Sequence, residues 1–147
     1  MAHVGIGPIK QAFVRALRDI TALKAAVGSD GIDEGISLTG VSFPRVMYVV
    51  RPTSPIRQFG GEAIAITTID CWAVSDSQVE AQNLDQLMLD GLEDKVLDFT
   101  GISSIAGNEP TTLLCHRLRS MSLVEADDAG KKVFLIGGTY QIWTDRL

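Results

Sequence analysis

The 147 residues and net charge of −5 fit one domain with a single hydrophobic core. A chain that is 46% hydrophobic and 21% charged is not a disordered one, and no apolar run nears the ~20 residues a membrane helix needs. Two cysteines, Cys71 and Cys115, are too few for a disulfide framework.

The charge is uneven. Residues 61–110 hold ten acids and a lone base, Lys95, while the rest of the chain is weakly basic. Without clustered Lys and Arg, direct nucleic-acid binding is not expected as the main role. An acidic patch can be a solvated helix face or can orient the chain against a basic neighbour. The opening, Met1 to Gly5, lacks the basic start and apolar stretch of a signal peptide, so folding in a cytoplasm with free thiols is expected.

Pro8 suits the start of a helix, where its missing N–H has no intrahelical partner. Ile9, Phe13, Leu17 and Ile20, with Val14, Leu23 and Val27 beside them, recur every three or four residues and predict an amphipathic helix. A break is expected near Asp19–Thr21 and a stop at Gly28. The glycine-rich residues 28–44 read as an irregular connection. Arg45 to Arg51 predicts a strand with Val46, Tyr48 and Val50 on one face. Pro52, Pro55 and Gly60-Gly61 then bracket an exposed loop that displays Arg51, Arg57 and Phe59.

Glu62 to Val74 predicts a second, long strand with Ile64, Ile66, Trp72 and Val74 on one face and Asp70 on that same face. Ser77 and Glu80 form a capping box for the next helix. Its buried stripe is expected at Leu84, Leu87, Met88, Leu92 and Val96, and its acidic surface at Asp76, Glu80, Asp85, Asp90, Glu93, Asp94 and Asp98. Gly91 inside that helix costs about 1 kcal/mol against Ala, with a close approach to the sheet as the expected compensation. After a loop at 99–111, the runs 112–125 and 131–144 predict a long β-hairpin turning at Asp127-Asp128-Ala129-Gly130. In the second run Val133, Leu135 and Trp143 point one way and Phe134, Ile136, Tyr140 and Ile142 the other. Both faces need cover, and part of it is expected from another copy or a partner.

The element order α-β-β-α-β-β predicts an α+β fold: a mixed or antiparallel four-stranded sheet with helices packed on it, ending in a long β-hairpin. One domain over 1–147 is expected, with flexible loops near 28–44, 51–61 and 99–111.

At this point the chain resembles the tail terminator (tail completion) proteins of long-tailed bacteriophages. The resemblance is carried by Ile20-Thr21-Ala22-Leu23-Lys24-Ala25-Ala26-Val27-Gly28, by Ile32-Asp33-Glu34-Gly35, and by Phe43-Pro44 leading into Tyr48-Val49-Val50. It continues through Ile69-Asp70-Cys71-Trp72-Ala73 and the final hairpin. It implies a structural, non-enzymatic protein of a long, non-contractile tail. As a homohexameric ring it would cap the tail tube, end tail elongation and offer the surface for head joining. The implied partners are further copies of itself, the major tail tube protein and a head-tail connector or neck protein. The implied location is the tail-neck junction of a virion assembled in the host cytoplasm. The chain departs from the family pattern in its long Ser37 to Phe43 loop and in the Lys131-Lys132 pair after the turn. Candidate partner or subunit contacts are Arg51, Arg57 and Phe59 in the proline-bracketed loop, Arg117 and Arg119 in the hairpin, and Asp70, which can pair with Arg117 or Arg119 or with an arginine of the next subunit.

Other classes make poorer use of the residues. Cys115 and His116 are adjacent, so on a strand they point to opposite faces and cannot jointly serve one atom. With no CxxC, HxxxH or Gly-x-Ser-x-Gly pattern, no catalytic, metal or cofactor site is expected. Gly60-Gly61 reads as a loop hinge and Gly137-Gly138 as a close backbone approach or bulge. The alternatives kept open are a head-tail connector or neck protein, and a small ligand-binding or thiol-dependent α+β enzyme using Asp70, Cys71 and His116.

Overall fold

Ile9, Ala12, Phe13, Ala16 and Leu17 recur at helical spacing, and all five are buried along one side of the first helix, α1 (Ile6–Arg18). Pro8 lies in the first turn, where N–H groups have no intrahelical acceptor. The expected break falls at Asp19 and Ile20. A second helix, α2 (Thr21–Val27), then runs to Gly28, whose φ of 79° and N–H to the Lys24 carbonyl close it. The structure, a computed structural model, describes residues 6–51, 54–59 and 62–145; for Ile6 and for 54–59, 62 and 63 it describes the backbone alone. Among the described residues no helix is long and apolar enough to cross a membrane.

Among the described residues six strands follow where four were expected: β1 (Ile32–Glu34), β2 (Arg45–Val50), β3 (Ser54–Phe59), β4 (Glu62–Ser75), β5 (Thr112–Ala126) and β6 (Lys132–Asp145). The sheet order is β1-β2-β4-β6-β5, with β3 paired to β4 as well. Because β6 pairs β4 from Ile64 to Ser75, β3 and β2 share the opposite edge of β4, β3 along Glu62–Ile66 and β2 along Ile69–Val74. Among the described strands only β1 and β2 run parallel, so the sheet is mixed and the α+β class holds.

The extra strands correct two loop assignments. Despite its prolines, the 51–61 stretch contains β3, which makes a hairpin with β4; Pro52, Gly60 and Gly61 lie outside the described residues. The 28–44 connection contains β1, too short to show periodicity, held beside β2 by Arg45 Nη2 on Asp33 Oδ1 at 2.9 Å. A parallel pair needs a crossover, and residues 35–44 are that crossover, which explains the long Ser37 to Phe43 loop. The third loop, 99–111, holds a short 3-10 turn at Ser103–Ile105.

The helices all cover one sheet face. There α1, α2 and α3 (Gln78–Leu92) bury Ile9, Phe13, Leu17, Leu23, Leu84, Met88 and Leu92 against Val46, Tyr48, Ile69, Cys71, Tyr140 and Ile142. On the other face Met47, Trp72, Val74, Val133 and Leu135 form a second cluster. Leu38, Val41 and Phe43 of the crossover pack on it. Part of the cover expected from a partner is therefore supplied by the chain's own loop.

Ser77 caps α3 by accepting the Glu80 N–H at 3.3 Å, as the capping box requires. Its return half runs through a relay: Ser77 N–H donates to Ser75 Oγ, and the Ser75 hydroxyl donates to Glu80 Oε1 at 2.6 Å. The buried stripe is Ala81, Leu84, Met88 and Leu92. The helix stops there, so Val96 is exposed rather than buried. Asp94 (φ 58°) donates its N–H to the Cys115 carbonyl, turning the chain onto the outer edge of β5. Gly91 has its close neighbour in Ile20, at the α1–α2 joint, not in the sheet: an added Cβ would run into Ile20 Cδ1.

Candidate functional site

The two arginines of β5 share a face only if the strand alternates regularly, and it does not. Arg117 pairs with Tyr140 and Arg119 with Thr139, leaving Leu118 as an extra residue in a β-bulge. The bulge sends Arg117 to the helix face and Arg119 to the other. Arg117 is buried, donating from Nη1 to Asp85 Oδ2 at 3.0 Å and from Nη2 to the Tyr140 hydroxyl at 2.6 Å. An ion pair to Asp70 is out of its reach. Asp85, placed in the acidic surface from sequence, is turned inward to meet it. Gly138 makes the room, since a Cβ there would lie 2.5 Å from Arg117 Nε. At Gly137 an added Cβ would run into the Cys71 carbonyl, the close backbone approach expected, whereas at Gly138 the neighbour is the Arg117 side chain.

Asp70 lies on the face away from the helices and is paired with Arg51. Arg51 Nη2 and Nε reach Asp70 Oδ2 at 2.8 and 3.1 Å, and the Thr139 hydroxyl donates to Oδ1 at 2.7 Å. Arg119 joins this group indirectly, with Nε 3.4 Å from Thr139 Oγ1. Three expected residues, Arg51, Asp70 and Arg119, therefore form one polar group on the open sheet face. Thr139, which links them, carries no signal in the sequence beyond its register opposite Asp70. Arg57 and Phe59 stand in β3, and their side chains lie outside the described residues.

Nothing in the geometry favours thiol chemistry. Cys71 and Cys115 are both buried, on strands separated by β6. Burial pushes the Cys71 thiol well up, and pushes that of Cys115 up to about 12, with Glu93 and Asp94 adding to it. His116 is exposed and bonded through Nδ1 to Glu93. Glu93 also accepts the Arg117 backbone N–H at 3.1 Å. Burial raises the Glu93 carboxyl, but those two donors outweigh it and hold it below its ordinary value. Among the described residues no group of three His, Cys, Asp or Glu is placed to hold a metal ion.

Two further surfaces are open to solvent. Along α1, Lys10, Gln11, Val14, Arg15, Arg18, Asp19 and Tyr48 line an open cavity of about 470 Å³. Lys10 pairs there with Glu34 of β1, and Arg15 pairs with Asp98 at 3.5 Å and donates to the Asp98 and Thr100 carbonyls, while Arg18 makes no ion pair among the described residues. On the β5 side, Glu93 and Asp94 hold the strand's outer edge, and beside them Val96 and Leu113 are 68% and 49% exposed. Leu118 in the bulge is exposed as well. Sequence reasoning missed this apolar edge because Val96 keeps helical spacing after the helix has ended.

No known family's sequence profile matches the chain, and no curated protein matches it significantly. Among solved structures, the fold matches a chain of the virion of a native gene transfer agent (GTA) particle. The match has a TM-score of 0.68, spans 98% of this chain and 99% of that one, and has 12% sequence identity. The two chains share a fold over nearly their whole lengths.

Proposed function

We propose that this chain is a structural virion protein of the phage type, and that it acts as a tail terminator. As a homohexameric ring it closes the tail tube, stops its growth and presents the surface to which the head or neck joins. The observation that carries the virion part is the end-to-end likeness in fold to a chain of a gene transfer agent virion. The terminator part rests on the order of elements, from the split N-terminal helix to the long closing hairpin, in which the sequence resembles that family. A non-enzymatic role agrees with buried, protonated thiols and with polar groups tied into structural pairs.

In this reading the Arg51–Asp70–Thr139–Arg119 group lies on the sheet face that the helices leave open, where it meets the tube or neck protein. The test is deletion of the gene in its parent phage followed by electron microscopy. Tails of unregulated length with unattached heads are expected, and antibody label on wild-type particles should mark the junction of tail and head. Normal particles from the deletion would refute a virion role. Label on the neck with tails of normal length would instead favour a connector.

A further inference from the structure

We propose that copies of this chain join by strand addition: β1 of one copy extends the sheet of the next by pairing along the free half of β5. This rests on the ring reading and names the surfaces that close the ring. The first argument is vacancy. On the outer edge of β5 the Cys115 carbonyl and the Arg117 N–H are taken by Asp94 and Glu93. Past the bulge that cover ends. Asp127 donates its N–H to the Lys131 carbonyl, so alternation along the strand turns Met121, Leu123 and Glu125 toward β6 and the main-chain groups of Ser120, Ser122 and Val124 outward. Those outward groups have no partner among the described residues. The stretch from Ser120 to Val124 carries no charge, proline or bulge to deter pairing, and Leu123 and Val124 are 46% and 56% exposed.

The second argument is register, and it selects the occupant. In β1 the Gly31 carbonyl accepts from Val46 and the Gly35 N–H donates to Tyr48, so the main-chain groups of Ile32 and Glu34 point away from β2, also without a partner among the described residues. The sheet order puts β1 and β5 at its two ends, and the pairings make them run in opposite directions. Followed across the strands through Val46, Ala73 and Ile136, Ile32 is level with Ser122; by the same path Glu34 is level with Ser120. A second copy set beside the first, with no shift along the strands, therefore lays its β1 antiparallel to β5 with outward groups facing outward groups. Ile32 with Ser122 and Glu34 with Ser120 can each exchange two hydrogen bonds. Because the two edges differ, the contact repeats around a closed ring, whereas β5 on β5 would stop at a dimer.

The experiment is sedimentation velocity on the full chain over a concentration series, with thermal melts to confirm folding. Wild type is expected to assemble. Ser122→Pro and Glu34→Pro each delete an outward N–H and no bond to the strand's own neighbour, so both should fold and associate roughly tenfold more weakly or worse. Glu34→Gln keeps the N–H and should assemble as wild type does. The Glu34→Pro copy retains a good β5 and the Ser122→Pro copy a good β1, so their mixture should form a dimer and stop there. Amide exchange needs no variant: from dilute monomer to assembly it should slow at Ile32, Glu34, Ser120 and Ser122 and stay unchanged at Met121 and Leu123. Proline variants that assemble like wild type, or those four amides exchanging equally fast in the assembly, would overturn strand addition while the ring reading stands. Glu34→Gln as weak as Glu34→Pro would overturn main-chain pairing at β1. A wild-type chain that remains monomeric throughout overturns this self-association and leaves the ring to be judged on particles.

Discussion

Arg117 holds its guanidinium between Asp85 and the Tyr140 hydroxyl, inside the helix layer and nearly out of reach of water. Such a group is costly to desolvate and costlier to leave half-made. Arg117→Leu should lower stability by about 3–5 kcal/mol, because Asp85 keeps a buried charge with no partner. Replacing Asp85 with Leu in the same chain should recover much of that loss, and urea titration of the single and double variants measures both. A double variant no more stable than Arg117→Leu would mean that packing around the guanidinium, not its charge, is what the site supplies. The sequence showed Arg117 and Arg119 two apart, which places them on one face of a regular strand. Nothing in Arg117-Leu118-Arg119 marks the bulge, since it arises from the pairing with β6. The Gly137-Gly138 pair opposite read as a close backbone approach or a bulge, which holds at Gly137 but did not announce the Arg117 side chain that fills the space at Gly138.

At the scale of elements, the closing hairpin and the start of α3 were readable because local chemistry decides them. Asp127 and Gly130 set the turn, with Gly130 at a φ of 80°, and Ser77 caps the helix through its own hydroxyl. The short β1 was not readable: three residues carry no period, and its place is fixed by Arg45 from another strand. The Ser75 relay gives a test of how the cap works. Ser77→Ala should cost about 1 kcal/mol, the usual value of an N-cap. Ser75→Ala should cost a similar amount, since it orphans the Ser77 N–H and one Glu80 oxygen, and the double variant should cost less than the sum. Additive losses in thermal melts would mean the two serines act independently.

The other end of α3 is tied by Glu93, and that tie depends on pH. Its carboxyl is held below the ordinary value of 4.5, so the folded state favours the charged form. The stability this gives is complete above that value and is lost as pH falls through the lower folded value. Urea midpoints of wild type and Glu93→Gln should therefore differ near neutrality and converge as the pH drops below 4.5. A difference that stays constant with pH would assign the effect to side-chain shape.

Across the whole molecule the charges that the sequence separates are partly brought together. Residues 61–110 hold ten acids against one base, yet Arg15 of α1 pairs with Asp98, Arg117 of β5 with Asp85, and Arg51 with Asp70. Composition alone gave the imbalance; only the tertiary fold shows which acids are met by bases from outside that stretch. Arg15 does more than pair: its Nη1 donates to the Asp98 and Thr100 carbonyls at 3.1 and 2.7 Å, so it ties the segment after α3 to α1, while Phe99 and Ile102 anchor the same segment in the core. Losing the tie should open that segment locally without unfolding the sheet. Amide hydrogen exchange of Arg15→Met should therefore speed up over residues 98–102 and stay unchanged over β5 and β6. Exchange over 98–102 that matches wild type would mean that Phe99 and Ile102 hold the segment by themselves.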